Sequence, residues 1–139
     1  MTTSNRIALD TNILLYLHDS DQQSLKKNTA EELVASNPIV STQVISEYLN
    51  VCHKRFKLTK LDALAALMEW LPFSGVANVS DSTYSNAVNL IKKYDFQLFD
   101  SIVIAAAIEA NCTILYTEDM HHNLLVENRL QIINPFLTA

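Results

Sequence analysis

Short runs of apolar residues alternate along this chain with longer segments whose apolar positions recur at helical spacing. Residues 6–9 (Arg-Ile-Ala-Leu), 39–41 (Ile-Val-Ser), 113–116 (Thr-Ile-Leu-Tyr) and 130–133 (Leu-Gln-Ile-Ile) read as short strands. Continuous apolarity, rather than strict alternation, predicts strands buried on both faces of a parallel sheet. A weaker pattern at 75–79 predicts a further strand. Between them fall the helices. A brief one runs through 13–17, capped by Asp10 or Asn12, and a second covers 24–35 with Leu25, Ala30, Leu33 and Val34 on one side. A third spans 43–57, capped by Ser41 or Thr42, with a buried stripe of Val44, Tyr48, Val51, Cys52 and Phe56. Thr59-Lys60-Leu61-Asp62 resembles a capping box with Asp in place of Glu, opening a helix that reaches Trp70 and stops before Pro72. Ser80 or Asp81 caps another to Tyr94. Residues 100–111 are apolar nearly all round, which predicts a buried central helix starting at Asp100.

Strands alternating with helices predict an α/β fold: a three-layer α/β/α arrangement around a short central parallel sheet of four to five strands, in one domain over residues 1–139. An apolar fraction of 49%, one glycine and three prolines agree with a packed globular chain and exclude a disordered one. Ten basic and fifteen acidic residues leave a net charge of −5, which excludes a surface that attracts nucleic acid everywhere but not a local basic strip. The start, Met1 to Arg6, has no apolar core of an export signal, and the longest apolar run, 102–108, is too short to span a membrane. A cytoplasmic protein is expected. Cys52 and Cys112 lack metal-type spacing and read as reduced core thiols.

Four acids stand in apolar settings, where an unpaired carboxylate is costly. Asp10 ends the first strand, and Glu47 lies in Val44-Ile45-Ser46-Glu47-Tyr48-Leu49. Asp100 precedes Ser101-Ile102-Val103-Ile104, and Asp119 follows Ile114-Leu115-Tyr116-Thr117-Glu118. In a parallel sheet, ligands gather beyond the carboxyl ends of the strands. Asp10 and Asp119 fall there, and Glu47 is expected in the first turn or so of the helix that leaves the second strand. Taken singly, each has an ordinary reading as a cap, a loop acid or an exposed helix position. Together they suggest one site that binds a hard cation through oxygen. The suited chemistry is metal-assisted phosphodiester hydrolysis with Mg²⁺ or Mn²⁺.

Leu9-Asp10-Thr11-Asn12, Ser41-Thr42-Gln43-Val44-Ile45-Ser46-Glu47, Asp100-Ser101-Ile102-Val103-Ile104-Ala105 and Leu115-Tyr116-Thr117-Glu118-Asp119 occur in this order across nearly the whole chain. In this the sequence resembles the PIN-domain family of metal-dependent ribonucleases, and more narrowly the toxin-type members paired with antitoxins. The resemblance implies that Asp10, Glu47, Asp100 and Asp119 are catalytic and metal-binding, with Thr11, Asn12 and Thr117 as accompanying polar groups that orient carboxylates or metal-bound water. It also implies endonuclease action on RNA, a homodimer and a small antitoxin partner. One departure is Glu118, where many relatives carry a basic residue; it leaves open whether Glu118 or Asp119 reaches the metal, and register with Thr117 favours Asp119.

Lys54, Arg55 and Lys57 lie in the most basic stretch and are candidates for contact with RNA phosphates, although cations also favour a helix C-terminus for its dipole. His121 and His122 read as exposed loop residues. Leu14, Leu15, Tyr16, Leu17, Leu25 and Leu33 either pack on the sheet or form a groove for a partner helix. Trp70 and Phe73 fit a dimer interface or the core equally. The rival function is a PIN-like module that binds RNA or a protein without catalysis. A phosphoacceptor domain is disfavoured, because Asn12 stands where an Asp-x-Asp would need its second acid.

Overall fold

The computed structural model describes residues 5–137; Met1–Ser4, within the stretch expected to lack an export signal, lie outside it. The strands are β1 (Ile7–Leu9), β2 (Ile39–Ser41), β3 (Gly75–Ala77), β4 (Ile114–Tyr116), β5 (Leu125–Val126) and β6 (Leu130–Ile133). The helices are α1 (Thr11–Leu15), α2 (Leu25–Val34), α3 (Thr42–Lys54), α4 (Lys60–Trp70), α5 (Asp81–Tyr94) and α6 (Leu98–Glu109). The strands form one sheet in the order β3-β2-β1-β4-β6-β5. All neighbours are parallel except β5 and β6. The sheet therefore has six strands, against the four to five expected. Leu125–Val126 is too short to stand out as a run, and it owes its strand character to antiparallel pairing with Leu130 and Gln131.

Successive side chains of a strand point to opposite faces, so a strand buried at consecutive positions is covered on both. Ile39, Val40 and Ser41 are all buried, as are Ala8 and Leu9. The mostly parallel sheet is thus flanked by helices, as the alternation of elements predicts. Among these, α6 is the most deeply set: Ser101 to Ala107 are buried without a break. Its alanines let α5 approach closely, with Thr83, Ala87 and Leu90 buried at helical spacing.

Gly75, the only glycine, opens β3 opposite Ile39. A Cβ there would stand 2.6 Å from Ile39 Cδ1, so the missing side chain leaves room for the isoleucine. Turns elsewhere rely on asparagine. Asn37, Asn111, Asn123 and Asn128 all take left-handed backbone angles, with φ of 57°, 61°, 71° and 53°. Asp95 does the same as the cap that ends α5.

Several boundaries depart from expectation. α6 starts at Leu98 with Gln97 as its cap, so Asp100 occupies the first turn instead of capping it. α3 ends at Lys54, Arg55 caps it, and Lys57 lies beyond with φ 62°. Of the expected α3 stripe, Val44, Tyr48 and Cys52 are buried, while Val51 and Phe56 are half-buried. Trp70 belongs to the core, edge-on to Tyr48 with ring centroids 5.2 Å apart, whereas Phe73 is exposed. Leu14 is buried, Leu15, Tyr16, Leu17 and Leu33 pack at the edge of the core, and Leu25 is exposed. Both cysteines are free thiols and buried. Among the described residues, no helix is long and apolar enough to cross a membrane.

Candidate active site

From β1 the chain moves outward to β2 and β3, then returns to place β4 on the other side of β1. The strand order reverses at the β1–β4 boundary, and a crevice opens at the carboxyl ends of strands at such a point. Asp10 and Thr117 are the first residues after these two strands. The Asp10 amide donates to Tyr116 O at 3.0 Å, which pins the start of the crevice to the sheet.

Asp10 is only 6% exposed. Its Oδ1 accepts from the Thr11 amide at 2.8 Å, capping α1, and its Oδ2 accepts from Thr117 Oγ1 at 2.8 Å. Burial pushes its carboxyl up to about 6, with help from the nearby charges of Asp100 and Glu47, although the bonds from Thr117 and Thr11 oppose the shift. Capping thus holds the side chain but leaves a desolvated acid within the field of two others.

Glu47 sits in the second turn of α3, later than the first turn or so expected, yet it still reaches the crevice. The buried Thr11 donates from Oγ1 to Glu47 Oε2 at 2.7 Å, and Gln43 Nε2 donates to Oε1 at 2.9 Å. Gln43 was not singled out in the sequence; its spacing of four from Glu47 on one helix was the available signal. Asp100 is half-buried. Burial raises its carboxyl from the ordinary value, and the charges of Asp119 and Glu47 raise it further. Asp119 is exposed, and its Oδ1 accepts from Asn12 Nδ2 at 2.8 Å.

The three neutral polar residues tie the acids together. Thr117 is fully buried; besides donating to Asp10 it accepts from Asn12 Nδ2 at 3.3 Å and from the Asp119 amide at 3.4 Å. Asn12 Oδ1 accepts from the Glu118 amide at 3.1 Å. Glu118 itself is engaged elsewhere: Lys26 Nζ at 2.6 Å and Tyr16 Oη at 2.7 Å both donate to it. Partial burial works against ionisation of Glu118, but these two bonds outweigh it and hold the carboxyl below its usual value. Nothing local to Glu118 announces Lys26, which lies in α2.

His121 is exposed, as expected, but His122 is half-buried and accepts from the Asn134 amide through Nδ1 at 2.9 Å, fastening the loop to the end of β6. Lys54, Arg55 and Lys57 are all exposed, and Arg55 lines a cavity that also includes Asn12.

Each of the four acids is either placed at the crevice by its element or coupled by charge to others that are. Among the described residues, no three Asp, Glu, His or Cys side chains converge tightly enough to enclose a cation on their own. The donor set is oxygen throughout, and Asp10, Glu47 and Asp119 are already oriented by hydroxyl or amide donors. That chemistry fits a hard divalent ion that keeps several of its waters. Such an ion would also offset the desolvation and the lesser repulsion that raise Asp10 and Asp100.

Solved structures of similar fold place the chain among known proteins. A toxin–antitoxin complex from Klebsiella pneumoniae aligns with a TM-score of 0.68 at 19% identity, covering 94% of this chain and 98% of that one. FitAcB from Neisseria gonorrhoeae aligns at 0.67 and 15% identity, covering 94% and 98%. VapC20 from Mycobacterium tuberculosis, described as a sarcin–ricin loop cleaving toxin, aligns at 0.62 and 21% identity, covering 78% and 86%. No curated protein is significantly similar in sequence. The sequence itself matches the PIN domain from residue 7 to residue 125, from the first strand through the last of the acid-bearing segments, and the chain belongs to the PIN-domain family.

Proposed function

We propose that this protein is a metal-dependent endoribonuclease and the toxin of a toxin–antitoxin pair, with Asp10, Glu47, Asp100 and Asp119 as its catalytic and metal-holding acids. The observation that carries the reading is Asp10: a carboxylate 6% exposed at the β1–β4 reversal, raised to about 6, and in charge contact with Glu47 and Asp100. A buried acid in that electrostatic setting is disfavoured unless a cation joins it. Membership of the PIN-domain family supports the nuclease. The likeness to VapC20 and to the Klebsiella complex supports the toxin role and an antitoxin partner, while a homodimer follows from the family resemblance alone.

In this reading Asp10, Glu47, Asp100 and Asp119 hold one or two Mg²⁺ or Mn²⁺ ions. When bound, the metal lowers the pKa of water and offsets charge developing on the phosphoryl oxygens. Thr117 and Thr11 donate to Asp10 and Glu47 and fix the direction of their free lone pairs. Asn12 does the same for Asp119 from the opposite side of the crevice. Glu118 stays bonded to Lys26 and Tyr16 and orients the loop that carries Asp119.

The test is incubation of the purified protein, freed of copurified partner, with a mixed cellular RNA pool in Mn²⁺, Mg²⁺ or EDTA. Cleavage that requires both metal and Asp10 is the expected result. Equal cleavage by Asp10→Asn, or cleavage in EDTA, would overturn the mechanism. Absence of both cleavage and metal binding would favour a binding module.

A further inference from the structure

Adjoining the acids is a cavity of about 370 Å³ walled by Asn12, Tyr16, His18, Arg55, Phe56 and Glu118. It shares Asn12 with the crevice, and that one amide donates to Asp119 at 2.8 Å and to Thr117 at 3.3 Å. We infer that this cavity is a subsite for one ribonucleotide of the RNA chain, adjacent to the phosphate held among the acids, with Arg55 as its recognition group. The inference rests on the nuclease reading for its position along the RNA.

The size argues for one nucleotide. Pockets for small ligands begin at roughly 300 Å³, so the space suits a single base with its sugar and not a helix. Sequence-specific recognition of RNA favours unstacked, splayed-out bases, which such a cavity accommodates.

The chemistry agrees. The two ion pairs among the described residues engage Lys26 and Lys93, so the Arg55 guanidinium is uncommitted. Its planar fork suits a phosphate or the acceptor edge of a base. Its guanidinium carbon lies 6.0 Å from the centre of the Phe56 ring. His18 is held from within: its Nε2 meets Tyr48 Oη at 2.6 Å, and its ring tilts against Phe56 at 5.3 Å. That leaves Nδ1 as the remaining polar atom of the ring.

Of the two acids in the wall, Glu118 is paired and does not repel the ligand as a bare charge. Lys26 offsets Glu118 at 2.6 Å, whereas Asp19 keeps its charge, which the Asp21 amide at 3.0 Å stabilises. Their remaining lone pairs accept from exocyclic amino groups. Adenine, guanine and cytosine carry such groups and uracil does not, so uridine is the poorest fit.

The experiment is a titration of the full, isotope-labelled chain in EDTA with AMP, GMP, CMP, UMP and inorganic phosphate, followed by amide NMR. Expected are shifts at Asn12, His18, Arg55 and Phe56, weakest for UMP, and at least fivefold weaker binding in Arg55→Ala, with partial recovery in Arg55→Lys. Arg55 is exposed, so both variants are expected to fold. Undiminished binding by Arg55→Ala, equal shifts from phosphate alone, or no shift with any nucleotide overturns the subsite. The titration needs neither metal nor cleavage. An RNA pool left uncut by a protein that binds no metal, while nucleotides still shift these residues, sinks the nuclease reading and keeps the binding site. Asp10-dependent cleavage with no nucleotide binding here does the reverse.

Discussion

Replacing Asp10 by Asn removes a carboxylate that the fold desolvates and surrounds with like charge. Its carboxyl titrates at about 6 in the folded protein, against an ordinary value of 3.8. The folded state therefore binds the proton more tightly than the unfolded one. The contribution of Asp10 to stability is greatest below about pH 4, declines as pH rises to about 6, and is lower by about 3 kcal/mol above that. Asn carries no charge and escapes this loss. It keeps an oxygen for the Thr11 amide, but its NH₂ group would face Thr117 Oγ1, which already accepts from Asn12 and Asp119. That mismatch costs about 1 kcal/mol. In EDTA at pH 8 the variant should be more stable than the parent by about 2 kcal/mol, and at pH 4 less stable by about 1 kcal/mol. Urea unfolding at the two pH values measures both. Saturating Mn²⁺ at pH 8 should stabilise the parent and leave the variant unchanged. A variant less stable than the parent at pH 8 in EDTA, or a difference that does not change sign with pH, would refute the argument.

Gly75→Ala should destabilise by about 1 kcal/mol, because the new Cβ meets Ile39 Cδ1 at 2.6 Å and that terminal methyl has to turn aside. Adding Ile39→Val removes that methyl and should recover part of the loss in urea melts; strictly additive effects would show that the contact is not the cause. Cys52 and Cys112 are buried, and burial raises both thiols, Cys112 to about 11. A colorimetric thiol reagent at pH 8 should find neither in the native protein and both after unfolding; prompt reaction of either would contradict its placement.

Strands β1, β2, β4 and β6 were legible because each is a short, mostly apolar run bounded by polar or turn residues, whereas β3 gave only a weak pattern. Ile39–Ser41 and Leu130–Ile133 carry their signal in consecutive side chains. Leu125–Val126 was not legible, because two apolar residues define no period and its pairing depends on a hairpin partner. The start of α6 was misplaced because Asp100 is a good capping type, whereas Gln97 is a weak one and the exposed Leu98 and Phe99 carry no amphipathic cue. The acid-bearing segments could be found as carboxylates beside apolar runs. Their mutual wiring could not: Thr11 with Glu47, Thr117 with Asp10 and Lys26 with Glu118 join residues far apart in the chain. The same holds for the cavity, where Arg55 and Asn12 come together only when α1 and α3 pack.

The asparagines at left-handed turns shape the denatured ensemble as much as the native one. Each carries a Cβ where glycine would be less strained, at a native cost of about 1 kcal/mol. Glycine at the same places would free the unfolded backbone and raise the entropy lost on folding. With a single glycine in 139 residues, this chain has few points of unrestricted backbone rotation when unfolded. The turns at Asn37 and Asn111, which lead into β2 and β4, are thus partly specified by limiting what the polypeptide can do before it folds.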